Sequence, residues 1–444
     1  MRRLGLNREV CHVMFGTLQQ VQHYVRTAYG DSSTSYQGIE FPLQGIGQGN
    51  GAGPAIWLIV SIPIINMLKA EGFGFKMRTP ISHEEFEFVC YTFVDDTDLV
   101  HAPNMNQDNP AYESLIHEMQ SVIDHWEGGL RATGGALVPT KSYWYLIHFY
   151  WEKDKWNYSR ISDTPGEICM YDLHRNRINL ERLEVSEARE TLGIYLAMDG
   201  NQTAEYNKLK AIAHKWADQV RCGRLNTAEA WFSLNHTVLK SLEYPLMATN
   251  LAKTQCNDIM TTLLKAALPR LHISMSFPNK VKFGPPKYHG LGIPHLWTTQ
   301  GIKKIWAVLK HGEAQTITGN LLRTNFETTA LEIGAPGNVL TYSYATFGHL
   351  ATKGWVVNLW EFLYENKLQL SDNQIGVELQ CVNDVFLMME FANQSTINKG
   401  MLRQANLCRM WLKVLRLSDI TSGDGQYITA GFWNGTTPVT SNLD

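Results

Sequence analysis

Two adjacent aspartates, Asp95 and Asp96, interrupt an apolar segment and constrain the fold more than any other feature. Residues 91–100 read YTFVDDTDLV, with β-prone residues on both sides of the pair. Two like charges repel each other unless water or a cation stabilises them. The pattern predicts a β-hairpin with buried flanks and both carboxylates at its tip. A hard divalent cation such as Mg²⁺ suits this pair, and a solvated β-turn is the alternative interpretation.

A glycine-rich stretch lies about forty residues upstream. Residues 43–57 read LQGIGQGNGAGPAIW, and alternate glycines allow another molecule to approach the backbone closely. Gln48 and Asn50 add hydrogen-bonding groups, and Pro54 favours a helix start. Residues 47–52 also fit a dinucleotide-binding fingerprint. That interpretation lacks a buried strand before the glycines and an acidic residue about 20 positions later.

The glycine-rich loop and the FVDD hairpin together resemble the palm of reverse transcriptases, especially those of non-LTR retrotransposons. The resemblance implies that Asp95 and Asp96 are catalytic and hold Mg²⁺ or Mn²⁺. Phe93 stands where the family often has tyrosine, and Val94 occupies the variable position. The residues implied to contact the template and the incoming nucleotide are Gln48, Gly49, Asn50, Phe93 and Val94.

Two later motifs extend the resemblance. GGALVPTKSYW, residues 134–144, is similar to the next palm motif, whose lysine is matched by Lys141 and lies near the nucleotide phosphates. ETLGIYLAMDGN, residues 190–201, is similar to the strand that grips the primer end, represented here by Leu192 and Gly193. The implied partners are an RNA template, a DNA primer and deoxynucleoside triphosphates.

The expected fold class is α+β. We predict a partial polymerase palm over 1–202, an antiparallel sheet with packed helices, then a helical thumb over 203–275. A mostly helical region follows over 276–444. Apolar periodicity predicts helices over 8–29 and 109–133, and a buried helix from Pro54. The run YWYLIHFYW, residues 143–151, predicts one strand.

The charge distribution favours a polyanion partner although the net charge is −3. Residues 204–310 contain 15 Lys and Arg against 5 Asp and Glu, a balance of +10, whereas the remainder has a balance of −13. A solvated helical surface is the alternative. By the resemblance, the residues expected to track a phosphate backbone are Lys208, Lys215, Lys280, Lys282 and Lys287.

The sequence departs from the family in one respect that bears on catalysis. A further aspartate is expected on a strand before the Gln-Gly loop, and none of Glu9, Asp31 and Glu40 fits that pattern. The fingers are also missing, so we expect an N-terminally truncated and catalytically impaired polymerase. One alternative is an inactive remnant that binds RNA or template–primer duplex through residues 204–310, and another is a structural leftover without activity.

The scattered cysteines bear on location, and one apolar run bears on membrane association. Seven cysteines without a CxxC pair favour an intracellular protein, in the nucleus or the cytoplasm. The apolar run from Ile56 to Leu68 is short for a membrane span and contains Pro63, so no membrane partner is expected.

Overall fold

The chain is a mixed α+β protein that packs as two compact units. The computed structural model describes residues 5, 7–20, 22, 24–35, 53–103, 111–152, 155–172, 174–335, 337–370, 379–381, 383–422 and 426–429. One unit combines Met1–Lys76 with Glu87–Glu184, and the other combines Met77–Phe86 with Val185–Asp444. The predicted domain limits after residues 202 and 275 stay predictions.

The helices of the described residues are concentrated after residue 200. They are α1 Arg8–Gln20, α2 Gly53–Ala70, α3 Tyr112–Ala132, α4 Thr203–Cys222, α5 Thr227–Ser233, α6 Leu239–Glu243, α7 Lys253–Arg270, α8 Asn279–Lys282, α9 Leu296–His311, α10 Ile317–Ile333, α11 Tyr344–Phe347, α12 Trp355–Asn366, α13 Leu387–Asn393 and α14 Lys399–Leu412.

The strands of the described residues are short, and all of them precede α4. They are β1 Arg26–Thr27, β2 Gly30–Asp31, β3 Phe75–Arg78, β4 Glu85–Phe88, β5 Cys90–Phe93, β6 Asp96–Leu99, β7 Tyr143–Tyr145, β8 Phe149–Glu152, β9 Lys155–Tyr158, β10 Cys169–Tyr171, β11 Arg177–Asn179, β12 Glu181–Leu183, β13 Arg189–Thr191 and β14 Ile194–Leu196. Within the described residues they pair two by two, and β7 with β12 is parallel. The α+β class is confirmed, whereas these ladders do not join into one antiparallel sheet.

Helix α3 organises the first unit because it packs on both sides. Val122 and Trp126 share one core cluster with residues of α2, while Ile116 and Ile123 share another with Trp144 and strand β10. The buried carboxylate of Glu127, also on α3, accepts a hydrogen bond from the backbone N–H of Tyr171 at 3.2 Å. The predicted amphipathic helix over 109–133 is therefore confirmed in its described part.

Helix α2 is less buried than predicted. Ser61, Ile64 and Leu68 are buried against neighbouring elements, but the Leu58 side chain is 58% exposed. The predicted start at Pro54 is confirmed to within one residue, since α2 begins at Gly53. By length and composition alone it could cross a membrane, a property that it shares with core helices of soluble proteins.

Two local predictions are wrong in their extent. The helix predicted to reach residue 29 ends at Gln20, and β1 and β2 form a hairpin closed by an Arg26–Asp31 ion pair at 2.7 Å. Gly30, with φ 119°, supplies the turn conformation that other residues avoid. The strand predicted over 143–151 is divided into β7 and β8, which pair with different partners.

The second unit has one large core in which α4 and α7 run side by side in the same direction. Tyr206 donates to Asp258 near their N-terminal ends, and Arg270 donates to the carbonyl of Arg221 near their C-terminal ends. This core also buries Lys304, whose Nζ donates to the side-chain oxygen of Asn358 at 2.7 Å. Burial lowers the pKa of Lys304 well below its ordinary value.

A buried glutamate on α10 binds the loop between β3 and β4 inside this second unit. Glu327 accepts hydrogen bonds from the backbone N–H of Ile81 at 2.7 Å, the N–H of Ser82 at 3.1 Å and the Ser82 hydroxyl at 2.6 Å. Arg323, one turn earlier, forms an ion pair with Glu84 at 3.0 Å. The loop is thus fixed by a carboxylate that lies about 245 residues away in sequence.

We expect Glu327→Ala to lower the free energy of unfolding by about 3 kcal/mol, because two loop N–H groups lose their acceptor in a buried site. Glu327→Gln keeps one acceptor oxygen and should cost about 1 kcal/mol. Urea unfolding followed by circular dichroism measures both. Equal midpoints for Glu327→Ala and the unsubstituted protein would show that the loop is not held by this carboxylate.

Candidate functional site

The β5–β6 hairpin carries the aspartate pair at its tip. Phe93 and Asp96 form the last cross-strand pair, so Val94 and Asp95 make a two-residue turn. Asp95 lies in the turn, Asp96 begins the returning strand, and both residues are exposed. The predicted hairpin is confirmed, but its flanks are not buried as predicted. Tyr91, Phe93 and Val94 are 42%, 61% and 43% exposed, because β5 and β6 form a ladder of two strands among the described residues. The catalytic role of the two acids stays a prediction.

The base of the hairpin is fixed to neighbouring backbone and to α3. Val100 N–H donates to the carbonyl of Val89 at 2.8 Å. His101 Nδ1 accepts from the N–H of Gly74 at 3.3 Å, so its Nε2 is the nitrogen that donates to Glu118 Oε2 at 2.7 Å. The imidazole therefore acts as a structural bridge between the end of β6 and helix α3.

The turn is strained at Val94, which has φ 54°. A β-branched side chain rarely adopts positive φ, and tight hairpin turns ordinarily place Gly, Asn or Asp there. Such a conformation costs about 1–3 kcal/mol and persists only where the surrounding structure enforces it. Strained backbone of this kind is concentrated at functional sites.

Negative charge accumulates along β6. Asp96 and Asp98 are two residues apart in the strand and therefore project from the same face. The pKa of Asp98 is raised above its usual value, first because the carboxyl is partly buried and second because Asp96 lies nearby. A bound cation would relieve this repulsion.

Carboxylate oxygens are suitable ligands for Mg²⁺, which also retains several waters. No side-chain hydrogen bond or ion pair of the described residues engages Asp95 or Asp96, so their oxygens are available. Within the same described ranges no group of three or more His, Cys, Asp or Glu side chains converges on one point. The pair would therefore supply only part of a metal coordination shell.

The remaining predicted palm residues are only partly described. Gln48, Gly49 and Asn50 lie outside the described residues, and α2 begins just after them at Gly53. Lys141 is the exposed last residue of a short 3₁₀ turn, Pro139–Lys141. No hydrogen bond or ion pair in the described part of the chain joins Lys141 to the aspartate hairpin.

Leu192 and Gly193 form the turn of a second hairpin, between β13 and β14. Both have positive φ, 50° and 80°, as a tight hairpin turn requires. Tyr244 Oη donates to the carbonyl of Leu192 at 2.8 Å, and Lys208 Nζ donates to the carbonyl of Gly193 at 2.6 Å. Leu192 and Gly193, which were predicted to grip the primer end, therefore lie at a turn whose two carbonyl oxygens accept hydrogen bonds from side chains of the same unit.

Glu205 supports the same hairpin and was not predicted. Its side chain is buried and accepts from the N–H of Tyr195 at 2.7 Å. Burial raises the pKa of Glu205, and that hydrogen bond opposes the shift only in part. Its position in the first turn of α4 is that of an ordinary helix-start acid, so no local pattern could indicate this contact.

The five predicted backbone-contacting lysines have different surroundings. Lys208 Nζ forms an ion pair with Glu190 at 2.5 Å and also donates to the turn of the β13–β14 hairpin. Lys282 is buried, with its carbonyl accepting from Ile293 N–H. Lys215, Lys280 and Lys287 are exposed, which leaves their charges accessible to a phosphate backbone.

Comparison with known proteins assigns no family, since no family model matches the chain and no curated protein matches it. Any functional assignment depends on the residues and their arrangement.

We expect Val94→Gly to leave stability unchanged or to raise it by up to about 1 kcal/mol, because glycine adopts positive φ without strain. Thr92→Gly, inside β5 of the same hairpin, is the matched control and should cost about 1 kcal/mol. Thermal unfolding measures both variants. A Val94→Gly loss as large as that of the control would contradict strain in the turn.

Proposed function

We propose that this chain carries the catalytic palm hairpin of a reverse transcriptase of the non-LTR retrotransposon type. Its reaction would be RNA-templated DNA synthesis by two-metal nucleotidyl transfer. The observation that supports the proposal is the exposed Asp95–Asp96 pair at the tip of a strained, anchored hairpin, with no side-chain partner among the described residues. Ordinary solvated turns have no need of a β-branched residue at positive φ.

The roles follow from residue chemistry. The primer 3′-oxygen forms a bond to the α-phosphorus of a deoxynucleotide, and the bond to the pyrophosphate oxygen breaks. Asp95 and Asp96 would hold Mg²⁺ or Mn²⁺, which supply charge neutralisation at the reacting phosphate. Lys141 would neutralise or protonate the leaving pyrophosphate. Contacts to template, primer and nucleotide are proposed for Gln48, Gly49, Asn50, Phe93, Val94, Leu192 and Gly193.

Catalysis by this chain is expected to be weak. Two-metal transfer needs carboxylates that hold both ions at once, and no third acid joins Asp95 and Asp96 among the described residues. Binding of a metal ion at the hairpin is therefore a more direct readout than polymerisation.

We expect Asp95→Asn and Asp96→Asn each to weaken Mn²⁺ binding at least about tenfold in the presence of RNA template, DNA primer and nucleotide, because each removes an anionic ligand. Electron paramagnetic resonance of free Mn²⁺ measures this. Asp218→Asn, an exposed acid paired with Arg221, is the control and should have no effect. Any primer extension seen with Mn²⁺ should disappear in Asp95→Asn.

Unchanged Mn²⁺ affinity in both hairpin variants would end this proposal and leave the tip as a solvated turn.

A second candidate function is binding of RNA or template–primer duplex without catalysis, through residues 204–310. Each of the five acids in this segment already has a structural role. Asp218, Glu243 and Asp258 are in ion pairs, Glu205 is buried, and Glu229 caps α5. Exposed lysines such as Lys215 and Lys265 have no acidic partner in the described part of the chain. Their charges are available to release counterions from a polyanion.

We expect affinity for an RNA–DNA hybrid to fall steeply with salt. Lys215→Ala and Lys265→Ala should each reduce the slope of log K against log salt by about 1, since each removes one phosphate contact. Fluorescence anisotropy measures the slope, with Lys399→Ala outside the segment as the control. Binding that survives Asp95→Asn while extension is absent would favour this candidate, and a salt-independent affinity would exclude it.

A further inference from the structure

The connector between α8 and α9 is a rigid loop with a close backbone crossing. Gly292 N–H donates to the carbonyl of Gly284 at 2.8 Å, and Leu291 N–H donates to that of Val281 at 2.8 Å. These bonds bring the two ends of the loop side by side and leave residues 285–289 as its tip.

Glycine is required at this crossing. A Cβ at Gly290 would collide with the carbonyl group and Cα of Gly284, and one at Gly284 would collide with the carbonyl of Lys280. Because these obstacles are backbone atoms, rotation of a side chain cannot remove them. The sequence therefore allows the two segments to approach more closely than any other residue would permit.

The tip is held by its own hydrogen bonds. Tyr288 N–H donates to the carbonyl of Pro285 at 2.9 Å, and His289 N–H donates to that of Pro286 at 2.9 Å. His289 has φ 61° and ends the short turn. Two prolines and a closed turn reduce the freedom of the tip, so little conformational entropy remains to be lost on binding.

The rigid tip presents an aromatic ring and a cation together. The Tyr288 side chain is 71% exposed, and Lys287 Nζ lies over its ring, 4.8 Å from the ring centroid. A large exposed aromatic on a preorganised loop is typical of a recognition element. With the ammonium group over one face of the ring, the opposite face is the one that suits a flat base, and the ammonium suits a phosphate.

The surrounding charge is also complementary to a polyanion. Residues 259–312 contain no Asp or Glu, although they include eight Lys and Arg residues. Among them, Lys265, Lys280, Lys287 and Lys310 are exposed. An anionic partner would therefore meet no like charge within this stretch.

We propose that the loop tip at Lys287 and Tyr288 binds a single-stranded segment of nucleic acid, with a base stacked on Tyr288 and a neighbouring phosphate at Lys287. This inference rests on the proposed function, since it names a second contact for the same nucleic acid. A single strand is favoured over a duplex because only an unstacked base offers its face to a side chain.

The test measures fluorescence anisotropy of the full chain with a labelled single-stranded 12-mer and with a 12-base-pair duplex. Tyr288→Ala should weaken binding of the single strand about tenfold and that of the duplex less than twofold. Tyr288→Phe should retain affinity because the ring remains. Lys287→Ala should reduce the salt slope for the single strand by about 0.7. RNA and DNA versions of the strand show which sugar is preferred.

Trp411→Ala is the matched control, since that ring is 74% exposed but lies on α14, outside the acid-free stretch; its affinity should equal that of the unsubstituted protein. An unchanged melting temperature of Tyr288→Ala establishes that the variant is folded.

The remaining outcomes separate the two proposals. If the unsubstituted protein binds the strand and Tyr288→Ala binds it equally well, the loop inference is overturned and the proposed function stands. Equal losses for strand and duplex would also overturn stacking at Tyr288. No binding of either probe at low salt would overturn both the loop inference and nucleic-acid binding by this chain.

Discussion

The packing of α3 between two clusters of apolar side chains determines where the acidic hairpin lies in the first unit. Val122 and Trp126 face α2, and Ile116 and Ile123 face β10. The same helix supplies Glu118, which binds His101 at the end of β6. A strained two-residue turn can persist at the tip because the strands beneath it are held on this helix.

Buried carboxylates elsewhere in the chain differ from the exposed pair in how their oxygens are used. Glu127 and Glu327 accept backbone N–H groups from segments that are distant in sequence, and Glu205 accepts the N–H of Tyr195, ten residues earlier. Burying a carboxylate is unfavourable unless such donors compensate for lost water. Asp95 and Asp96 avoid that penalty by remaining exposed, and so their oxygens keep the capacity to bind a ligand.

Local patterns predicted the elements near the candidate site well and the long-range contacts poorly. The β-prone residues on both sides of the acidic pair indicated the β5–β6 hairpin, and apolar spacing indicated α3, because both signals are local in the sequence. The end of α1 at Gln20 was missed since Gly30 and an Arg26–Asp31 pair favour a hairpin over continued helix. No periodicity could reveal that Glu327 binds Ser82, or that Lys282 is buried while Lys280 is exposed.

Net charge is a poor guide to the partners of a chain whose positive charges are concentrated in one segment, residues 204–310. The salt dependence of polyanion binding counts the phosphates that are neutralised locally, and acids elsewhere in the chain do not enter that count. Acids inside residues 204–310 have a larger effect on this binding because they pair with nearby cations. Asp258 forms an ion pair with Lys210, and Asp218 forms one with Arg221. The cations that remain accessible, such as Lys215 and Lys287, are therefore the ones that decide whether a chain of net charge −3 can bind nucleic acid.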